Sequence, residues 1–391
     1  MRAAHHMLMS ELTKFLVNKR IVAPTTGFDA KSLNKNLFDW QNPIVRRSLY
    51  KGRFAIFADC GLGKTIMQLV WAWEVYRHTK QNVLILTPLA VAKQTKNEGE
   101  KFGISVNICR HTSDIKPGVN VLNYEMLENF DTSGFAGVVL DESSILKNAA
   151  GKTRKLITEK FARTPFKLCC SATPAPNDYI ELGTHTEFLG VMNASEMLST
   201  FFVHDGGEVQ KWRLKRHAEE EFWRWVCSWA VMLRKPSDIG FFDKGFSLPP
   251  IKRHQITVES PVPKGRLLSV EVKTLNDRRV ARRDSISLRV ERAAHYANVV
   301  HKFDPFLVWC DLNAESAMLA SAIPGAVQVT GSDSLDYKTK AMEDFTEGRI
   351  RCIVSKPSIC GYGMNWQHCA AMAFVGLSDS FEQVYQAERR C

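Results

Sequence analysis

Short apolar runs alternate with helical patterns twice along the chain. Apolar runs bounded by turn residues are typical of buried strands, and a spacing of three to four residues between apolar positions is typical of helices. The candidate parallel strands cover residues 54–57, 83–86, 137–140 and 166–170, and then 306–310, 326–330, 351–354 and 372–377. Strands that alternate with helices predict an α/β fold with doubly wound parallel sheets. We therefore expect two α/β lobes.

The section between these two groups has a different pattern. Residues from about 190 to 300 show little strand periodicity and many charges. Four tryptophans lie among helix formers there: Trp212, Trp223, Trp225 and Trp229. Their spacing favours packing of a small helical subdomain over stacking on bases. The predicted domains are an N-terminal extension (1–36), a first lobe (37–190), a helical insertion and linker (191–300) and a second lobe (301–391).

The segment ADCGLGKT, residues 58–65, follows the first predicted strand and leads into a helical pattern. A strand, a glycine turn and a helix start direct backbone N–H groups and the positive helix end at one point, which suits a polyphosphate. Gly61 and Gly63 allow close approach of the backbone, Lys64 can reach the β- and γ-phosphates, and the Thr65 hydroxyl can ligate Mg²⁺. The first position carries alanine instead of the usual glycine, yet the strand and GKT together favour nucleotide binding over an ordinary glycine turn.

A pair of carboxylates, Asp141 and Glu142, follows the strand predicted over 137–140. Carboxyl ends of neighbouring strands converge on one crevice, so Asp141 can hold the Mg²⁺ water shell beside Thr65. Glu142 can then orient and deprotonate an attacking water. Such a pair alone is typical of a solvated turn. Its combination with the GKT segment predicts ATP hydrolysis.

Composition is consistent with a large intracellular enzyme. The chain has 391 residues, of which 45% are hydrophobic, enough for two or three cores. No uncharged apolar run reaches about eighteen residues, and the N-terminal stretch lacks a signal-peptide core. We expect no membrane partner and a cytoplasmic location, in a bacterium or a phage-infected host. The ten cysteines include no CxxC pair, so buried thiols are favoured over a zinc site at Cys360, His368 and Cys369.

Nearly half of the net charge of +11 lies in one segment. Residues 264–292 contain nine basic and four acidic side chains. Beside an ATPase motor such a segment commonly contacts nucleic-acid phosphates, whereas a solvated helix face would give the same pattern. The candidate contacts are Arg278, Arg279, Arg282 and Arg283.

Further motifs give a resemblance to superfamily-two helicases, nearest the Swi/Snf group. In the first half these are LFDWQ (37–41), TPLAVAKQ (87–94), LNYEML (122–127) and SATP (171–174). In the second half they are VTGSDS (329–334), AMEDF (341–345), GYGMN (361–365) and QVYQAERRC (383–391). The resemblance implies two RecA-like lobes that close on ATP and a nucleic-acid-dependent ATPase activity.

The resemblance also implies roles for residues of the first lobe. Gln41 would read adenine with Phe38 as a stacking partner. Loops at Pro88 and Tyr124 would meet the nucleic-acid backbone. The hydroxyls of Ser171 and Thr173 would couple the nucleotide state to lobe movement.

In the second lobe, the resemblance implies nucleotide contacts from Gly363 and Gln386, and a catalytic phosphate contact from Arg390. A second arginine of this last motif would fall beyond Cys391, so we expect the chain to be truncated within the motif. The box DESS differs from the usual DEAH, and Ser143 and Ser144 cannot make the coupling contact of the histidine. The box also suggests a compact prokaryotic or phage member.

These observations predict an ATP- and Mg²⁺-dependent motor on double-stranded DNA. Two alternatives remain open. One is a strand-separating DNA or RNA helicase, because a basic groove reads phosphate and not sugar. The other is a nucleotide-gated clamp that binds nucleic acid without hydrolysis.

Overall fold

The computed structural model describes residues 21–89, 91–147, 151–204, 212–246, 250–258, 274–361 and 363–391. For Leu275 it describes the backbone alone. The first twenty residues of the predicted N-terminal extension lie outside this part. The described chain forms two α/β lobes, each built on a parallel sheet.

The first lobe contains a seven-stranded sheet with strand order β3-β4-β2-β5-β6-β1-β9. All neighbouring strands of this sheet are parallel. The strands are β1 (Arg53–Ala58), β2 (Asn82–Thr87), β3 (Val106–Ile108), β4 (Val119–Asn123), β5 (Phe135–Asp141), β6 (Phe166–Ser171) and β9 (Ala230–Leu233). The helices are α1 (Gln41–Lys51), α2 (Lys64–Thr79), α3 (Val91–Lys101), α4 (Lys152–Lys160), α5 (Leu182–Leu189), α6 (Ala194–Phe201) and α7 (Glu219–Trp229). The strands β7 (Phe202–His204) and β8 (Trp212–Leu214) pair antiparallel in a separate two-stranded sheet.

The first sheet has a hydrophobic core on each face. Successive strand residues point to opposite faces. In β1, Ile56 therefore packs in one core with Trp71 of α2, while Phe57 packs in the other, edge-on to Trp229 of α7. Burial on both faces explains why these central strands are continuous apolar runs.

The second lobe contains a four-stranded parallel sheet with strand order β11-β12-β10-β13. Its strands are β10 (Phe306–Trp309), β11 (Val327–Val329), β12 (Cys352–Ser355) and β13 (Ala371–Phe374). Its helices are α8 (Leu275–Asp284), α9 (Ile286–His295), α10 (Asn313–Ala322), α11 (Leu335–Thr346), α12 (Pro357–Cys360) and α13 (Phe381–Glu388). Helices on both faces of two parallel sheets confirm the predicted fold class.

The section predicted as a helical insertion over 191–300 is organised differently in its described part. The strand β9 pairs with β1 at the edge of the first sheet. Trp225 and Trp229 of α7 are buried in the core of the first lobe, while Val290 of α9 packs with the second lobe. The tryptophans do pack a core, as predicted, but that core belongs to the first lobe and not to a separate subdomain.

Candidate active site

The loop between β1 and α2 has the geometry of a phosphate cradle. Gly61 and Gly63 have φ values of +81° and +65°, in the left-handed region that glycine adopts without strain. Among the described residues, no side chain caps the start of α2, so its first-turn N–H groups can face an anion. A Cβ atom added at Gly63 would lie 2.7 Å from Nε2 of Gln41. A larger residue would therefore have to displace the Gln41 amide and adopt a left-handed backbone conformation.

Lys64 folds back over this loop. Its Nζ donates hydrogen bonds to the carbonyl oxygens of Ala58 (2.9 Å) and Asp59 (3.2 Å). Both acceptors are neutral, and charge-assisted bonds to phosphate are stronger. Phosphate oxygens can therefore replace these carbonyls as partners of the ammonium group.

Gln41 braces the loop from α1. Its side chain is fully buried, with Nε2 donating to the carbonyl of Leu62 (3.1 Å) and Oε1 accepting from the backbone N–H of Phe38 (3.1 Å). Phe38 is 53% exposed, and its ring packs edge-on against that of Phe246, with 5.1 Å between the ring centroids. The predicted adenine contacts thus lie next to the cradle, and in this arrangement the Gln41 amide already has protein partners at both ends.

Asp141 lies at the carboxyl end of β5, and its Oδ1 accepts a hydrogen bond of 2.7 Å from Nε2 of Gln68. The pKa of this carboxyl is raised to about 6, mainly by burial and further by the negative charge of Glu142. The hydrogen bond from Gln68 and the positive charge of Lys64 act in the opposite direction. Gln68 is three residues after Thr65 on α2, so both side chains share one helix face. The half-buried carboxylate of Asp141 and the hydroxyl of Thr65 are the kind of oxygen ligands that Mg²⁺ prefers.

Glu142 is held by hydroxyls from two elements. Its Oε1 accepts from Oγ of Ser171 (2.5 Å) and from Oγ of Ser144 (3.2 Å). Its φ of +61° is unusual for a residue with a side chain, and such strain clusters at functional sites. From the second lobe, Nε2 of Gln386 approaches Oε2 at 3.4 Å. Both lobes therefore contact this carboxylate.

The two serines of the DESS box make contacts that the comparison with DEAH did not suggest. Ser144 bonds to Glu142 directly, while Oγ of Ser143 lies 3.2 Å from Nε2 of His185. Burial lowers the pKa of His185 to about 4, so this histidine is neutral at pH 7. The one signal in the sequence for the bond from Ser144 to Glu142 is that the two residues are two positions apart.

Thr173 links the two lobes. Its Oγ1 donates to Oε1 of Glu382 (3.3 Å) and accepts from Nε2 of Gln386 (3.3 Å). Both partners lie on α13, and Glu382 also forms an ion pair with Lys147 of the first lobe. The coupling residues predicted at Ser171 and Thr173 thus connect Glu142 to α13.

Arg390 is buried just after α13. Its Nε donates to the carbonyl of Gln386 (3.0 Å) and its Nη1 to the carbonyl of Met364 (3.1 Å). Its positive charge is close enough to lower the pKa of Asp141. The predicted phosphate contact would therefore require the guanidinium to exchange these carbonyl partners.

Three other residues that were predicted to contact nucleic acid or nucleotide lie outside this group of contacts. Tyr124 was predicted as a nucleic-acid contact, but its side chain is only 7% exposed and its hydroxyl donates to the carbonyl of Asp141 (2.9 Å), so the side chain is not free to make that contact. Gly363 packs against Val91, since a Cβ there would lie 2.2 Å from Cγ2 of that valine. Pro88 is half-buried just after β2.

The four arginines of α8 divide into two kinds. Arg282 forms ion pairs with Asp379 (2.8 Å) and Asp311 (3.3 Å) of the second lobe, so its predicted role as a phosphate contact is replaced by a structural one. The other three, Arg278, Arg279 and Arg283, are exposed. These three remain candidates for nucleic-acid contacts.

Comparisons with known proteins give one family match and matches among solved structures. Residues 44–204 match the model of the SNF2-related domain. No curated protein matches the chain. Among solved structures, the Sulfolobus solfataricus SWI2/SNF2 ATPase core in complex with dsDNA has 15% sequence identity and a TM-score of 0.45, over 94% of this chain and 87% of that one. Within the described part, no helix is both long and apolar enough to cross a membrane. Residues 44–204 therefore match an SNF2-related domain, which confirms the predicted resemblance to the Swi/Snf group.

Proposed function

We propose that the protein is an ATP-dependent translocase on double-stranded DNA that hydrolyses ATP to ADP and phosphate between its two lobes. The observation that carries the hydrolysis of ATP in this proposal is the environment of Glu142. Ser171 and Ser144 orient its carboxylate from the first lobe, and Gln386 reaches it from the second.

Nucleotide binding would begin at the loop before α2. The N–H groups of Gly63 and Lys64 and the Lys64 ammonium would hold the phosphates, once Nζ has exchanged its two carbonyl partners. Mg²⁺, held through Thr65 and Asp141, would neutralise charge on the β- and γ-phosphates.

Glu142 would act as the general base. A water between Glu142 and the γ-phosphate would transfer its proton to the carboxylate while its oxygen attacks phosphorus, and ADP would leave. The bonds from Ser171 and Ser144 fix Oε1, which leaves Oε2 as the oxygen that can accept the proton. Gln386 approaches that same oxygen, so lobe closure would decide when the base is correctly placed.

Movement of the second lobe would follow from the contacts of Thr173. Its hydroxyl bonds both Glu382 and Gln386, so α13 would shift when the γ-phosphate is released. The exposed arginines of α8 are attached to the second lobe through Arg282. Repeated closure would then move a phosphate backbone held by these arginines.

The test is the ATPase rate with no nucleic acid, single-stranded DNA, duplex DNA and duplex RNA, with Glu142→Gln as the matched inactive variant. Stimulation by duplex DNA that Glu142→Gln abolishes would support the proposal. Stimulation by single strands alone would favour a strand-separating helicase, and stimulation by RNA alone an RNA helicase. Nucleotide-dependent DNA binding without hydrolysis would refute a motor and favour a clamp.

A further inference from the structure

Asp59 is a second carboxylate of the phosphate loop, directly after β1. Both of its carboxylate oxygens accept from the hydroxyl of Tyr385, at 2.7 and 2.9 Å. Tyr385 lies on α13 of the second lobe, 326 residues further along the chain. The contact therefore joins the second lobe to the loop that would hold the phosphates.

Arg389 supports this contact. Its Nε lies 3.8 Å from Oδ1 of Asp59, and its guanidinium stacks 3.5 Å over the ring of Tyr385. The Asp59 side chain is only 18% exposed, so water competes weakly for its oxygens. Burial and the nearby Asp59 carboxylate raise the pKa of Tyr385 above its ordinary value. The phenol therefore remains a hydrogen-bond donor at neutral pH.

Asp59 also fixes the loop itself. Its Oδ1 accepts from the backbone N–H of Cys60 (2.7 Å), and its carbonyl accepts from Nζ of Lys64 (3.2 Å). The backbone N–H of Asp59 donates to the carbonyl of Leu233 at the end of β9 (3.0 Å). Movement of the Asp59 side chain would therefore also move the loop backbone that leads to Lys64.

We propose that Tyr385 is a positioning residue, which through Asp59 sets the conformation of the phosphate loop when the lobes are closed. This inference rests on the proposed ATPase function and goes beyond it, because Tyr385 need not touch the nucleotide. Gln386 of α13 approaches Glu142, and Arg390, just after this helix, is close to Asp141. Gln386 also reaches the phosphate loop, where the thiol of Cys60 donates to its Oε1 (3.6 Å), whereas Tyr385 acts on this loop through Asp59.

A matched control lies elsewhere between the lobes. Lys93 of α3 forms an ion pair of 2.6 Å with Glu343 of α11. Neither residue contacts the phosphate loop in the described structure. Glu343→Gln therefore removes an ion pair between the lobes without touching Asp59, whereas Tyr385→Phe removes one hydroxyl and keeps the ring under Arg389.

The first measurement is steady-state ATPase activity with duplex DNA. Loss of a hydrogen bond to a charged group corresponds to roughly a tenfold or larger effect. We expect Tyr385→Phe to lower kcat about tenfold. The dissociation constant for ATP should shift less than about threefold, because Lys64 of the first lobe would hold the phosphates before the lobes close, whereas Tyr385 acts on the loop when they are closed. Asp59→Asn combined with Tyr385→Phe should lose no more than the larger single effect, since the two residues act as one unit.

The second measurement is independent of activity. Backbone hydrogen exchange over residues 59–63 in nucleotide-free protein should be faster in Tyr385→Phe and unchanged in Glu343→Gln. If the parent protein lacks ATPase activity, the proposed function fails, and the exchange rates alone decide the role of Tyr385. Parent-like exchange in Tyr385→Phe would overturn the inference, and so would a parent-like kcat in an active enzyme. Should Tyr385→Phe not fold, Asp59→Asn provides the same comparison.

Discussion

The contact between Ser144 and Glu142 offers the sharpest test of how the base is positioned. Ser144→Ala removes a buried hydroxyl that donates to Oε1 over 3.2 Å. Hydrogen bonds to charged groups contribute about 1.5 to 3 kcal/mol, and a bond of this length belongs at the lower end. About 1.5 kcal/mol at the transition state corresponds to roughly a tenfold loss of kcat. ATP affinity should hardly change, because Glu142 would not contact the phosphates before attack.

The neighbouring residue provides the control. Ser143 is also buried, but its hydroxyl faces His185 and not Glu142. Single-turnover hydrolysis at saturating ATP should therefore be slowed in Ser144→Ala and close to that of the parent in Ser143→Ala. Equal rates for Ser144→Ala and the parent, while Glu142→Gln is inactive, would refute the positioning argument.

Three further predictions concern the surrounding charges. Lys64→Ala should weaken ATP binding by about 1.5 to 3 kcal/mol, measured by calorimetry, because the variant has no ammonium group to donate a charge-assisted bond to phosphate. The pKa of Asp141 is raised from 3.8 to about 6. In metal-free protein the free energy of unfolding should therefore fall as pH rises from about 4 to about 6 and then level off. Thermal melts at several pH values should show this fall in the parent and a flatter profile in Asp141→Asn. Replacing Arg278, Arg279 and Arg283 with Gln should reduce the salt slope of duplex DNA binding by roughly 0.9 for each DNA phosphate that these arginines neutralise, and an unchanged slope would assign them to a solvated face.

The sequence predicts the fold best where local patterns decide it. The strands β1, β2, β5 and β6 are apolar because both faces of the sheet are covered, and their runs are visible without the structure. The strand β4 was missed because it contains Asn120, whose buried amide donates to the carbonyl of Lys116 (2.8 Å). The strand β9 was missed because it follows α7 without a turn signal.

The site was predicted where its residues are close in sequence. The cradle and the carboxylates of β5 belong to short motifs whose chemistry is local. A motif does not report burial, so it could not show that the Tyr124 side chain packs against residues of β5. The contact of Tyr385 with Asp59 spans 326 residues. No spacing rule connects positions that only the packing of two lobes brings together.

The pairing of β9 with β1 affects how the first lobe can be isolated. The matched SNF2-related range ends at residue 204, before α7 and β9 in the chain. A protein cut at that point would lack the tryptophans that cover one face of the sheet and would expose the backbone hydrogen-bonding groups of β1. Unpaired strand edges recruit other strands, so such a fragment should self-associate, whereas one that extends through Leu233 should remain monomeric.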